Sequence, residues 1–194
     1  MRTHRSFVVV LLSAVVTAGL AACGSSSTPT PAASHRPAKH AAVAVGGCLM
    51  SVITDLSVEP PVSVPASAAC TTPPTKLQIA DAIPGHGPAA KAGDSLDVKY
   101  VGLHWTNRQP FDASWNNGPT NTFNVSPLGT ASVIDGWNQG LIGARAGDRR
   151  VLAIPASLAY KAAGSGTAIG PNEALIFVID VVTVTPAGST SPTG

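Results

Sequence analysis

Charge is scarce in this chain: Asp, Glu, Lys and Arg make up only 11% of its 194 residues. That level excludes long charged helices, and 19 glycines with 17 prolines favour many short strands joined by turns. Three cysteines are present, none of them in a CxxC pair. There is no GxSxG, no nucleotide-binding loop and no HExxH, so the usual residues of nucleophilic hydrolysis, nucleotide chemistry and zinc proteolysis are missing. His86 and His104 stand in no recognisable motif and read as surface histidines. His35 and His40 read as solvated linker residues, so no metal site and no cofactor are expected. The length allows one domain plus tails.

What is there begins with an export signal. Arg2, His4 and Arg5 precede an apolar run at residues 7–20, too short to span a bilayer comfortably. Leu20-Ala21-Ala22-Cys23 then resembles the bacterial lipoprotein box, which implies cleavage after residue 22 and a lipid on Cys23. An ordinary secretory signal with an incidental cysteine is the alternative. Two acyl chains hold a protein stably on a bilayer. The mature chain is therefore expected outside the cytoplasm, attached to the cell membrane through that lipid alone. Losing Arg2 and Arg5 from the 12 basic residues makes them equal to the 10 acidic ones. A neutral chain is a poor partner for nucleic acid.

Residues 23–47 are Ser, Thr, Pro and Ala with few large apolar groups, and read as a flexible tether. Residues 48–75 carry the other two cysteines, in a compartment where disulfides persist. Val52-Ile53-Thr54 and Val62-Ser63-Val64 lie either side of Glu59-Pro60-Pro61. This predicts two short strands folded back on each other, stapled by a Cys48–Cys70 bridge; two unpaired thiols are the alternative. A closed loop of that size contributes about 3 kcal/mol in the chain-entropy model.

From residue 76 to 185 the texture is that of a compact domain. Leu77 and Ile79 alternate with polar residues, and Gly93-Asp94 turns into a strand carrying Leu96, Val98 and Tyr100, with Asp97 and Lys99 outward. Residues 104–110 read as a polar connection and Phe123-Asn124-Val125 as a strand. A strand at 149–154 is stopped by Pro155, residues 163–167 form a mobile loop, and 174–184 make the longest strand. Residues 186–194 read as a disordered tail. The run Ser132-Val133-Ile134-Asp135-Gly136-Trp137 starts a short helix, where Asp135 can accept from free N–H groups. Trp137 and Leu141, four apart, can face one side of it. The fold class is α+β, an antiparallel sheet crossed by one short helix, preceded by the small stapled β extension.

Several blocks recur in a telling order: Val98-Lys99-Tyr100-Val101-Gly102, Phe111-Asp112-Ala113-Ser114-Trp115, Val133-Ile134-Asp135-Gly136-Trp137, Ile154-Pro155 with Leu158-Ala159-Tyr160, and Ile169-Gly170-Pro171 running to Phe177. Together they resemble the FKBP family of peptidyl-prolyl cis-trans isomerases, over residues 76–185. Lipid-anchored members of that kind occur in high-GC Gram-positive bacteria. The resemblance implies a five- to six-stranded antiparallel sheet wrapped around the helix, with a proline pocket between. Trp137 would be the floor, Tyr100, Phe111, Val133, Ile134 and Phe177 the walls, and Ile169 part of a rim loop. Tyr160, through its hydroxyl, and Ile134, through its N–H, would donate to substrate carbonyls, and Asp112 would line the pocket beside Tyr100. The implied substrates are proline-containing exported polypeptides and the implied inhibitors macrolides such as tacrolimus and rapamycin, with the protein acting as a monomer.

Four departures from the family pattern stand out. Asn121 lies where an aromatic is usual two residues before Phe123, and should thin the rim. Asn117 replaces an Arg that would neutralise Asp112, and Lys161 replaces a Gly after the pocket tyrosine. Two extra residues separate Phe123 from Val133. An active isomerase and a non-catalytic proline-binding or chaperone module both fit this pattern.

Overall fold

The computed structural model describes residues 39–60, 62–63 and 70–189. The expected signal peptide, Cys23, the tether as far as residue 38, and residues 190–194 lie outside that set. Strand β1 (His40–Val45) and strand β2 (Cys48–Ile53) form an antiparallel hairpin in which Val45 faces Cys48. Gly46 and Gly47 both have positive φ, 58° and 79°, as a two-residue hairpin loop matched to strand twist demands. The tether therefore stops earlier than residue 47. Its last residues alternate small and apolar, and Val43 and Val45 are buried. Strand β3 (Val62–Ser63) pairs with β2, Val52 opposite Val62, and Cys48 and Cys70 are disulfide-bonded. The stapled β extension is present, one strand larger than expected.

The main sheet has six strands: β4 (Gln78–Ile83), β5 (Ser95–His104), β6 (Pro110–Ala113), β7 (Phe123–Val125), β8 (Arg149–Ile154) and β9 (Leu175–Thr185). Their order is β4-β8-β9-β5-β6, with β7 also on β5. All pairings are antiparallel. Ordered chain continues past residue 185, where Ala187 N–H donates to Asp94 Oδ1 at 2.9 Å.

Alternation along the strands builds two cores. Leu152, Ile154, Leu175, Phe177 and Ile179 face one side with Trp137 of helix α1 (Asp135–Gly140) and Leu141, which caps it. Gly136 and Gly140, four apart, let α1 sit against β8. A Cβ at Gly136 would lie 2.5 Å from Ile154 Cγ2, and one at Gly140 2.7 Å from Leu152 Cδ1. The opposite face, with Val101, Leu103, Val151, Ile176 and Val178, is covered by Val43, Val45, Met50 and Val52 of the hairpin. The extension therefore shares a core with the domain it precedes.

Two arginines on β8 fasten these layers, one on each face. Arg149 is fully buried among the hairpin contacts. It makes paired bonds of 2.6 Å to both Asp180 oxygens and donates to the carbonyls of Ile53 and Val58. Arg150 binds Asp81 at 2.7 and 3.1 Å and donates to Gly140 O and Ile142 O, satisfying carbonyls at the end of α1.

The connection read as polar at 104–110 contains the largest buried side chain of the second core, Trp105, only 1% exposed. It meets Gly46, and Arg108 stacks over it at 5.0 Å while donating to Cys70 O. Without the hairpin that indole would stand in water; the hairpin makes it a core residue.

Candidate active site

Trp137 reaches the first core from α1, whose turn is set by Trp137 N–H donating to Ile134 O at 2.9 Å. Asp135 makes no capping bond. Its carboxylate instead meets Lys161 Nζ at 3.1 Å on the surface. Asn138 supplies the local order that the sequence did not advertise. Its buried Oδ1 accepts from Gly129 N–H and Ala131 N–H at 3.0 Å each, and its Nδ2 donates to Ala131 O. This pins the segment that delivers Ser132, Val133 and Ile134.

Around Trp137 the rings stand edge to face, the arrangement that aromatic quadrupoles favour. Tyr100 and Phe177 lie 5.2 Å from it, at 80° and 87°, and Phe111 lies 5.6 Å from Phe177. They enclose a cavity of about 230 Å³. Drug-sized sites run to roughly 300–1,000 Å³, so this one is cut for a single ring. Tyr100 O–H donates to Asp112 Oδ2 at 2.6 Å. Burial, then that bond and the Asp112 charge, push the Tyr100 phenol well above its usual range. Burial and the same carboxylate raise Tyr160. Neither the Tyr160 hydroxyl nor the Ile134 N–H has an acceptor within the described residues, so two donors at the cavity are free.

Of the residues expected at the pocket, Tyr100, Phe111, Asp112, Val133, Ile134, Trp137, Tyr160 and Phe177 all line it. Ile169 does not. It is buried in the first core, its N–H and C=O tied to Ser165 across the loop, which also gives the expected mobile loop a fixed bridge. Phe123 was missed. The register of β7, with Phe123 opposite Val98, places its ring 5.9 Å from both Tyr100 and Trp137. The rim expected to be thinned by Asn121 is thus closed by Phe123, and Asn121 lies outside the cavity lining. Phe123→Ala removes two edge contacts worth roughly 0.5–1.5 kcal/mol each. It is expected to weaken binding of a cyclic ligand in this cavity by about tenfold, and Asn121→Phe to leave it unchanged, both read by titration calorimetry.

His104 is not a free surface histidine. Its Nδ1 lies 2.8 Å from Glu173 Oε1, and its ring packs 5.2 Å from Phe111. Burial pushes the Glu173 carboxyl up, but Gly170 N–H, His104 and Thr106 outweigh it and hold the group below its usual range.

No histidine or cysteine lines this cavity beside its Ser132 and Asp112. It can receive a ring and offer hydrogen bonds to an amide beside it. The chain belongs to the family of FKBP-type peptidyl-prolyl cis-trans isomerases, whose model matches residues 87–182. It is 48% identical to the FK506-binding protein of Streptomyces anulatus over 113 residues, 58% of this chain and 89% of that one. It is 36% identical to a probable FK506-binding protein of Corynebacterium glutamicum, over 64% of this chain and 97% of that one. Among solved structures it is similar to AtFKBP13, with 31% identity, a TM-score of 0.51, and 58% and 96% of the two chains covered. It is also similar to FkpA from Escherichia coli, at 34% identity and a TM-score of 0.52 over 58% of this chain and 50% of that one.

Proposed function

We propose that the protein accelerates cis-trans rotation about X-Pro bonds in exported polypeptides, as a monomer held on the outer side of the cell membrane by a lipid on Cys23. The observation that carries the isomerase reading is the pair of unsatisfied donors, Ile134 N–H and Tyr160 O–H, at a cavity floored by Trp137. Rotation about X-Pro meets a barrier of ~18–20 kcal/mol because the amide is resonance-stabilised. The proline ring packs on Trp137 between Tyr100 and Phe177, and its amide leaves water. The planar amide is the more polar form, so it loses more on entering an apolar site than the twisted one. Ile134 N–H and Tyr160 O–H hold carbonyl oxygens in the twisted geometry, which they bind better than either planar form. Burial and Asp112 keep Tyr160 protonated, hence a donor, well into alkaline pH. About 4 kcal/mol of such differential binding gives a gain on the order of a thousandfold. The same cavity would accept the ring of a macrolide such as tacrolimus.

The test is an exchange measurement on an X-Pro peptide without a coupling protease, using the chain from residue 24 onward. Spontaneous exchange takes tens of seconds or longer, and a folded protein that leaves that rate unchanged would overturn the catalytic reading. Fractionation of cells carrying Cys23→Ser tests the anchor: the variant should leave the membrane, and firm retention there would sink the lipid assignment.

A further inference from the structure

The pocket carries one charge that has no counter-ion among the described residues. Asp112 lies on β6, exposed at the cavity, and only its Oδ2 is engaged, by the Tyr100 hydroxyl. Oδ1 has no hydrogen-bond partner, and no Lys, Arg or His stands within 4.0 Å of the carboxylate among the described residues. Three cations of the domain are committed elsewhere. Lys161 faces Asp135. Lys99 lies 4.4 Å over the Trp115 ring and donates to Pro119 O. Arg108 stacks on Trp105 and donates to Cys70 O. The other polar side-chain groups of the lining are uncharged: the hydroxyls of Ser132, Tyr100 and Tyr160 and the indole N–H of Trp137. Tyr160 lines the same cavity, where burial first and the Asp112 charge second raise its phenol. With Lys161 and Asp135 cancelling each other, the substrate entrance bears a net negative charge.

We propose, on the footing of the isomerase reading, that Asp112 makes this site selective for X-Pro segments with a Lys or Arg next to the proline. A basic side chain suits the place in two ways. Its methylene stem can lie along the aromatic wall while the head stays in water beside Oδ1. An acidic side chain there meets like charge with no counter-ion. Because the carboxylate is exposed, the effect is modest, about threefold to fivefold per charge at low salt, and it fades as the Debye length shrinks.

The experiment uses N-acetylated, amidated peptides that differ only in one residue, Lys, norleucine or Glu, placed before the proline in one set and after it in another. kcat/KM is measured by exchange spectroscopy and Kd by titration calorimetry, at low and at high salt, on the chain from residue 24 onward. In at least one set the order should be Lys, norleucine, Glu, with Lys over Glu by about tenfold at low salt, collapsing towards one at high salt. Asp112→Asn keeps an oxygen for the Tyr100 hydroxyl but should lose the discrimination, and Asp112→Glu should retain it. Equal values for all three peptides in both sets would overturn the proposal, as would an order that persists in Asp112→Asn. Because Kd is read independently, binding that follows the charge order with no turnover would fail the catalytic reading alone. Turnover without the charge order would fail only the selectivity.

Discussion

An Arg149→Ala protein should be less stable by about 3–5 kcal/mol, the usual cost of stripping one partner from a buried ion pair. The reason lies in what the guanidinium holds. It grips both oxygens of Asp180 and also binds Ile53 O and Val58 O, which belong to the covering layer rather than to the six-stranded sheet. Its loss strands the buried Asp180 carboxylate and the Ile53 carbonyl, and leaves the part-buried Val58 carbonyl to water. Domains of this kind have only about 5–15 kcal/mol in hand, so the urea midpoint should fall by about a fifth or more. Lys should not substitute, because one ammonium cannot reproduce the planar fork. Replacing the pair together, Arg149→Met with Asp180→Leu, should recover most of the loss. A single Arg149→Ala change that left the midpoint unmoved would show that the layers are held by apolar contact alone.

Gly102→Ala is expected to cost the site at least tenfold in peptide or macrolide affinity. A Cβ at that position would lie 2.6 Å from Phe111 Cζ and 2.8 Å from Phe177 Cε1. Real carbon atoms do not approach so closely, so one or both rings must shift, and both form the wall of a cavity of only about 230 Å³. Overpacking of this sort typically costs 1–3 kcal/mol in stability; here the displaced rings also change the shape presented to proline. The two effects separate experimentally, by melting temperature and by titration of the folded fraction. A variant that binds as the parent does would mean that the rings yield away from the cavity.

Much of the fold is legible in the local sequence. Gly93-Asp94 before an alternating run, Pro155 after an apolar one, and Trp137 with Leu141 on one helical face each report a local rule that the fold obeys. The walls of the cavity were recognisable because they come in short blocks with fixed order. What escaped notice depended on contacts between distant segments. Trp105 looks like part of a polar connection until a hairpin more than fifty residues earlier covers it. Residues 40–45 look like tether because alanine and valine alternate there too mildly to announce a strand. Phe123 points into the cavity only because of its register opposite Val98, and a shift of one residue would have turned it away. His104 and Glu173 are 69 positions apart, a distance over which no local pattern carries information.

The covering hairpin also fixes where the chain arrives. β1 lies against the face of the sheet that carries Val151, Ile176 and Val178, whereas Tyr100, Phe177 and Trp137 line the cavity on the other face. The hairpin and the cavity therefore occupy opposite faces of the sheet, and a ligand in the cavity meets none of the hairpin's residues. A pull on β1 is borne first by the hairpin and the Cys48–Cys70 crosslink, before it reaches any strand that lines the cavity.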